Sequence, residues 1–411
     1  MVKLDSNGNW LWAEKATGQN SGVRAVGIAI DSSGDAYVTG WAQISGGSGD
    51  SGYVTFGSIT RIVDRHCAFV AKIDSSGTWE WLTTSQSLGK SSGTGIVVSS
   101  AGEVIVLGES KYQISFNGTA QGGAVDSPSS KIFVAKFSTT GSLEWISSAG
   151  ANTSQNNWQY PASYPGGLAI DESDMIYVTG SYLGTVLWQC SGPNVGWGTG
   201  WQSQEIVVIK MDTNCSVQWV QTADGQSSDH ASSIAVEGGH VTIAGQLRDA
   251  SVTFGDFTET TTDYDLFFAN LSSSDGSWEF VETVAGGDYD SWEGALGLAI
   301  KPGGSGIVIG GYLELDSPVT IGPTELSSSY PHEPFLSFYS FEADLDDDND
   351  GVADSLDGCP IGDIGWISNS ATDHDSDGCQ DSNEDTDDDN DGVADSLDGC
   401  PIGDLDWTSN N

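Results

Sequence analysis

Residues 27–40 read "GIAIDSSGDAYVTG", and residues 69–84 read "FVAKIDSSGTWEWLTT". Each stretch is two short runs of β-branched and aromatic residues around an Asp/Ser/Gly turn, which is a hairpin pattern. Both recur. The first returns as "GIVVSSAGEVIVLG" (95–108), "GLAIDESDMIYVTG" (167–180), "SIAVEGGHVTIAG" (233–245) and "GLAIKPGGSGIVIGG" (297–311). The second returns as "VKLDSNGNWLWAEKA" (2–16), "FVAKFSTTGSLEWISS" (133–148), "VVIKMDTNCSVQWVQT" (207–222) and "FFANLSSSDGSWEFVET" (267–283). The period is about 64 to 72 residues, so one supersecondary unit is repeated along the chain.

Two alternating hairpins make a four-stranded antiparallel meander, with repeats near 27–84, 95–148, 167–222, 233–283 and 297–341. A lone meander cannot bury both faces, whereas radial stacking makes a β-propeller. The expected fold is therefore all-β: a propeller over 1–342 with five visible repeats, in a ring open to being larger. The repeats resemble the Trp- and Gly-marked propeller repeats of bacterial and archaeal secreted proteins, including the type named for seven-bladed propellers. One strand is surplus. Residues 1–16 are expected to close the ring against the last three strands, leaving "VKLD" (2–5) redundant, as if a preceding repeat had been cut away.

The turns inside each hairpin are short, while the connections between hairpins are long and variable. Alternate connections of a meander lie at one end, so one propeller face is expected to carry every long loop and any ligand. In "LWQCSGPNVGWGTGWQSQ" (187–204), Trp188, Trp197 and Trp201 are candidate ligand-binding aromatics that can stack on sugars. The plainer reading is a loop folded over its own aromatics and pinned by a Cys190–Cys215 pair. Asp288, Asp290 and Glu293 offer carboxylates for glycoside hydrolysis, but nothing marks a partner, and a solvated loop is the simpler expectation. Trp12, Trp81, Trp145, Trp219 and Trp278 recur at what reads as one strand position and are expected in the core between blades. No catalytic constellation is recognised: there is no phosphate loop or CxxC, and five His lie scattered.

The tail, 343–411, has another character. From Asp344 onward it holds 22 Asp and Glu and no Lys or Arg, out of a chain charge of −45. "DLDDDNDGVADSLDGCPIGD" (344–363) returns with one substitution at 385–404. Asp346, Asp348, Asp350, Asp354 and Asp357 occupy positions 1, 3, 5, 9 and 12 of a loop, with Gly351 at 6 and the Val352 carbonyl at 7. That is calcium-loop spacing, with Asp in place of Glu at 12. A second loop uses Asp373, Asp375, Asp377, Cys379 (carbonyl), Asp381 and Glu384. A third uses Asp387, Asp389, Asp391, Val393 (carbonyl), Asp395 and Asp398. The expected cofactor is Ca2+, about three or more ions, because hard oxygen ligands suit a hard cation.

The flanks lack EF-hand helices. "DxDxDGxxDxxDxCP", at Asp346–Pro360 and Asp387–Pro401, instead resembles thrombospondin type-3 repeats. In that family acidic loops wrap a row of calcium ions and disulfides staple successive repeats. The resemblance implies a Cys359–Cys379 bond and leaves Cys400 with no later cysteine. This chain departs from the pattern through the insert "IGDIGWISNSAT" (361–372), which restarts as "IGDLDWTSNN" at the end and suggests truncation.

The charge argues against nucleic acid and disfavours anionic membrane surfaces as partners, since both are bound through Lys and Arg. No apolar run is long enough to span a bilayer, so no direct membrane insertion is expected. Sequons at Asn117, Asn152, Asn214 and Asn270, the cysteines and the calcium loops suit an extracellular or cell-surface setting, with the targeting signal outside this fragment. The expected role is adhesion or display toward a glycan or protein ligand, carried on a calcium-stiffened stalk. The alternatives are a secreted carbohydrate-active enzyme or a self-assembling fibre subunit.

Overall fold

The computed structural model describes residues 1–44, 52–63, 65–87, 89–116, 119–120, 130–151, 164–183, 186–188, 196–197, 204–225, 228–284, 294–300, 306–313, 319–321, 324–326, 333–340, 350–352, 357–359, 366–397, 399–400 and 402. The chain forms two compact units, Met1–Tyr339 and Ser340–Asn411. Among the described residues the first unit is all strand, and there is no helix long and apolar enough to cross a membrane.

The first unit is a β-propeller of antiparallel meanders. The first blade runs Ser21–Ile30, Ala36–Ile44, His66–Ile73 and Trp79–Ser87, paired in that order. The second runs Ser91–Val98, Val104–Lys111, Ser130–Phe137 and Leu143–Ala151, and the next two blades repeat the plan. The short turns of the first and third blades are closed by their leading acid, and those of the second by Ser99 and Ser138. Asp31 Oδ1 accepts the amides of Ser33 and Asp35, and Asp74 Oδ1 those of Ser76 and Thr78. Asp171 and Asp212 do the same in the third blade. The Asp in the repeat is thus a turn-closing residue.

Inner strands of successive blades approach almost to backbone contact. A Cβ on Gly166 would lie 2.0 Å from the Ala231 carbonyl oxygen, and one on Gly167 would lie 2.6 Å from the Ile234 amide nitrogen. Only glycine fits there, which accounts for Gly167 at the head of its copy of the repeat. Outside this seam, the three intervals among the first four blades are filled by clusters of buried strand residues, such as Ile105, Leu107, Val134, Val178 and Ile209 between the second and third blades.

Four of the repeat tryptophans stitch blade to blade. Trp12, Trp81, Trp145 and Trp219 each donate Nε1–H to a carbonyl in the third-to-fourth-strand turn of the next blade: Ser75, Thr139, Thr213 and Ser273, at 2.9–3.1 Å. Trp278 does not share their position. It pairs with Leu271 as Trp79 pairs with Ile73, while Phe280 stands where Trp81 does. An extra residue in "LSSSDGSW" shifts the apparent alignment. Like Trp79, Trp278 meets a phenylalanine edge-on, at 5.0 Å from Phe254.

The terminal strands differ from the expected closure. Val2–Leu4 pairs with Trp10–Ala13, and Gly294–Ile300, Gly306–Leu313 and Glu333–Ser340 form a three-stranded sheet. No ladder joins these two sheets among the described residues. "VKLD" is not idle: Lys3 Nζ and Trp12 Nε1 both reach the Ser75 carbonyl, as Lys210 and Trp219 both reach Ser273.

The long connections also differ from expectation. Between first-blade and second-blade meanders only residues 88–90 intervene, because the strands extend further than the repeat pattern showed. Among the described residues, three connections between second and third strands send a hairpin back to the outer strand that precedes their own blade. Ile114–Phe116 ladders onto Trp79–Ser87, Val186–Trp188 onto Leu143–Ala151, and Gly52–Phe56 onto Ala16–Gln19. In the fourth blade the two middle strands simply run on, to His240–Phe254 and Phe257–Ser272. These added strands cover edges that would otherwise stay unpaired.

Candidate metal centre

In the second unit the local chain is built by carboxylates folding back onto nearby amides. Asp373 Oδ2 accepts Gly378 N at 3.1 Å, and Asp387 Oδ2 accepts Gly392 N at 3.1 Å. Position 5 closes the next turn in all three loops: Asp350 on Val352 N, Asp377 on Cys379 N, Asp391 on Val393 N, at 2.7–2.9 Å. Gly351, Gly378 and Gly392 take φ of +99°, +89° and +90°, a left-handed turn that glycine adopts without strain. The three loops therefore share one backbone geometry at their sixth position.

That turn gathers the odd-numbered acids. Asp373, Asp375 and Asp377 bring one ligand oxygen each within 4.8 Å of one another, and Asp387, Asp389 and Asp391 do the same. Both groups can hold a metal ion. Asp373, Asp389 and Asp391 are buried, as is Asp350 of the first loop. Burial and the charge of Asp377 push Asp375 up to about 6, and burial also raises Asp377. Asp387 Oδ1 is buried without a hydrogen-bond partner. Burying carboxylates together is costly unless a cation or a proton compensates them.

Asp357, position 12 of the first loop, accepts Cys359 N at 2.6 Å and lies against Gly378 of the second. Gly358 N donates to the Asp377 carbonyl at 2.6 Å, and Cys359 and Cys379 are disulfide-bonded across the same junction. The end of the insert joins these loops too: Ser368 N donates to the Asp350 carbonyl and Ser368 Oγ to Asp373 Oδ2, at 2.7 and 2.5 Å. Asn390 Nδ2 of the third loop donates to Asp375 of the second.

Three expected ligands stand elsewhere. Glu384 accepts the Gln380 amide at 3.3 Å, outside the Asp373 group. Asp395 Oδ1 accepts the Asp388 amide at 3.0 Å, outside the Asp387 group. Asp381 groups with Asp385 and Asp388, neither of which the loop spacing named. Asp346, Asp348, Asp354 and Asp398 lie outside the described residues.

On the propeller, Trp188 and Trp197 sit on paired hairpin strands rather than on an open loop, Trp188 opposite Ala149 and Trp197 opposite Val186. Trp201, Cys190, Asp288, Asp290 and Glu293 lie outside the described residues. Cys215 is disulfide-bonded. The sequon residue Asn270 is buried and accepts the Thr242 hydroxyl at 2.7 Å, so it is no glycan acceptor in the folded blade.

No protein-family model and no curated protein matches the chain. Among solved structures it is similar to the Dos1 propeller, at 11% identity over 79% of this chain and 73% of that one, with a TM-score of 0.30. It is also similar to the quinohemoprotein alcohol dehydrogenase of Comamonas testosteroni, at 9% identity over 73% of this chain, with a TM-score of 0.32. The chain spans 53% of that dehydrogenase.

Proposed function

We propose that the protein is an extracellular calcium-binding structural or adhesion protein, in which the acidic unit is a calcium-dependent stalk and the propeller displays a binding surface for a glycan or protein. The observation that carries this reading is the shared geometry of the acidic loops. Left-handed glycine at position 6 and carboxylates at 1, 3 and 5 recur where no Lys or Arg is available to neutralise them. Oxygen-only ligands favour calcium over zinc or copper. Extracellular sites of this sort bind with dissociation constants of roughly 0.1–1 mM. The Cys359–Cys379 bond suits the same oxidising setting.

The adhesion half is tested by binding of the full chain to a glycan and polysaccharide panel in millimolar calcium. Saturable binding without turnover is expected. Release of reducing ends, abolished by Asp288→Asn, would instead make the protein a carbohydrate-active enzyme.

Apolar exposure on the terminal blades favours a second reading, self-assembly. Ile28 and Ile30 are 57% and 64% exposed on the first inner strand, and Leu336 and Phe338 are 79% and 55% exposed on the last strand. Such strands are templates for a neighbouring copy. Concentration-dependent assembly, prevented by deleting residues 1–5, is the expected sign; monomers at every concentration would end this reading.

A further inference from the structure

Between the second and third loops lies a third group of acids, of which the loop spacing names only Asp381. Asp381 is the ninth residue of the second loop, Asp385 stands in the junction, and Asp388 is the second residue of the third loop. One oxygen from each lies within 4.8 Å of the others. Calcium–oxygen bonds of 2.3–2.6 Å hold oxygens on one ion at most about 5 Å apart, so the three can share an ion.

A cluster of acids is common on protein surfaces, but this one is partly withdrawn from solvent: Asp381 and Asp385 are half-buried and Asp388 is buried. Asp388 is only 8% exposed, and its Oδ1 is buried with no hydrogen-bond partner. Asp385 Oδ2 is a second buried oxygen without a partner in the same group. The remaining bonds hold the three in place without satisfying those atoms. Asp381 Oδ1 accepts the His374 amide at 3.0 Å, Asp385 Oδ1 accepts the Asp387 amide at 2.9 Å, and the Asp388 amide is held by Asp395. A buried carboxylate oxygen with no donor is costly, and a metal ion is the compensation that fits an all-oxygen set.

We infer that Asp381, Asp385 and Asp388 form a separate hard-divalent-cation site, calcium by its ligand chemistry, that joins the second loop to the third. This rests on the calcium reading of the acidic unit and adds an ion that the loop spacing does not predict. The ion fixes the junction, so that calcium orders the two loops as one piece rather than as two beads.

The test is a count of calcium per full chain at saturation, by native mass spectrometry and by equilibrium dialysis, for the wild type, Asp388→Asn and Asp385→Asn. Asp385 is less buried, so Asp385→Asn serves should Asp388→Asn unfold the unit; retention of the circular dichroism spectrum identifies a folded variant. The expected result is one ion fewer in each folded variant, with the remaining ions retained. An unchanged count in both variants, while the wild type loads calcium, overturns this site and leaves the loop reading intact. Loss of every ion also overturns it, since the group would then not be separate. A wild type that takes up no calcium overturns both.

Discussion

Asp373 accepts the amide of Gly378 at 3.1 Å, closing the second acidic loop across its sixth residue. The bond sets the first ligand of the loop against the turn that presents the others, and Asp387 and Gly392 repeat it in the third loop. Ligand placement and backbone conformation are thus one feature, and substitutions at the glycines test it.

Gly378→Ala is expected to weaken calcium binding more than Gly392→Ala. Both force a side chain into the left-handed region, at a cost of about 1–2 kcal/mol. At Gly378 the new Cβ would also lie 2.1 Å from Asp357 Oδ1, whereas at Gly392 it would meet open space. Calcium titrations of the two variants check the order. Equal affinities would mean that Asp357 does not pack on that turn in solution.

Losing the Cys359–Cys379 bond, as Cys359→Ser/Cys379→Ser, should destabilise the acidic unit by about 3 kcal/mol, the scale for a loop of its length. Urea unfolding of the chain at saturating calcium, followed by a probe in the acidic unit, gives the number. The propeller transition should not move.

Acid should weaken calcium binding, and the sign follows from Asp375. Burial beside Asp377 raises it to about 6 in the ion-free protein, from an ordinary 3.8. Below 3.8 it is protonated folded or unfolded and costs nothing. As pH rises towards 6 the unfolded chain ionises first, so the ion-free unit loses stability over that window. Calcium needs the ionised form, so its affinity grows through the same window. Titrations at pH 5 and pH 7 should show weaker binding at pH 5; identical affinities would contradict the assignment of Asp375 as a ligand.

In the propeller, Trp219→Phe should cost about 1 kcal/mol more than Trp278→Phe, the net worth of one hydrogen bond. Trp219 Nε1 donates to the Ser273 carbonyl of the next blade, whereas Trp278 Nε1 is buried with no partner. Thermal unfolding of the two variants measures the difference.

Much of this was legible in the sequence because it is local and repeated. The alternation in "GIAIDSSGDAYVTG" specifies a hairpin, and five copies of a hairpin pair specify stacked blades. The acidic loops were legible for the same reason: ligand positions and the Gly turn sit within a dozen residues. What stayed hidden depends on distant residues meeting. The added hairpins pair with the strand before their own blade, and nothing in "YQISF" names Trp79–Ser87 as its partner. Trp278 was misplaced because one inserted residue slides the alignment without disturbing the Trp–Glu–aromatic pattern. Asp385 and Asp388 occupy no ligand position of any single loop, and only the fold at the junction brings them to Asp381.

The most direct test of the central claim is calorimetric titration of calcium into the metal-stripped full chain, beside the variant Asp373→Ala/Asp387→Ala. The account predicts saturable uptake of several ions at millimolar calcium or below, with circular dichroism changing as the sites fill, and loss of the loop sites in the variant. No saturable uptake at millimolar calcium, or uptake unaffected by the two substitutions, would contradict it.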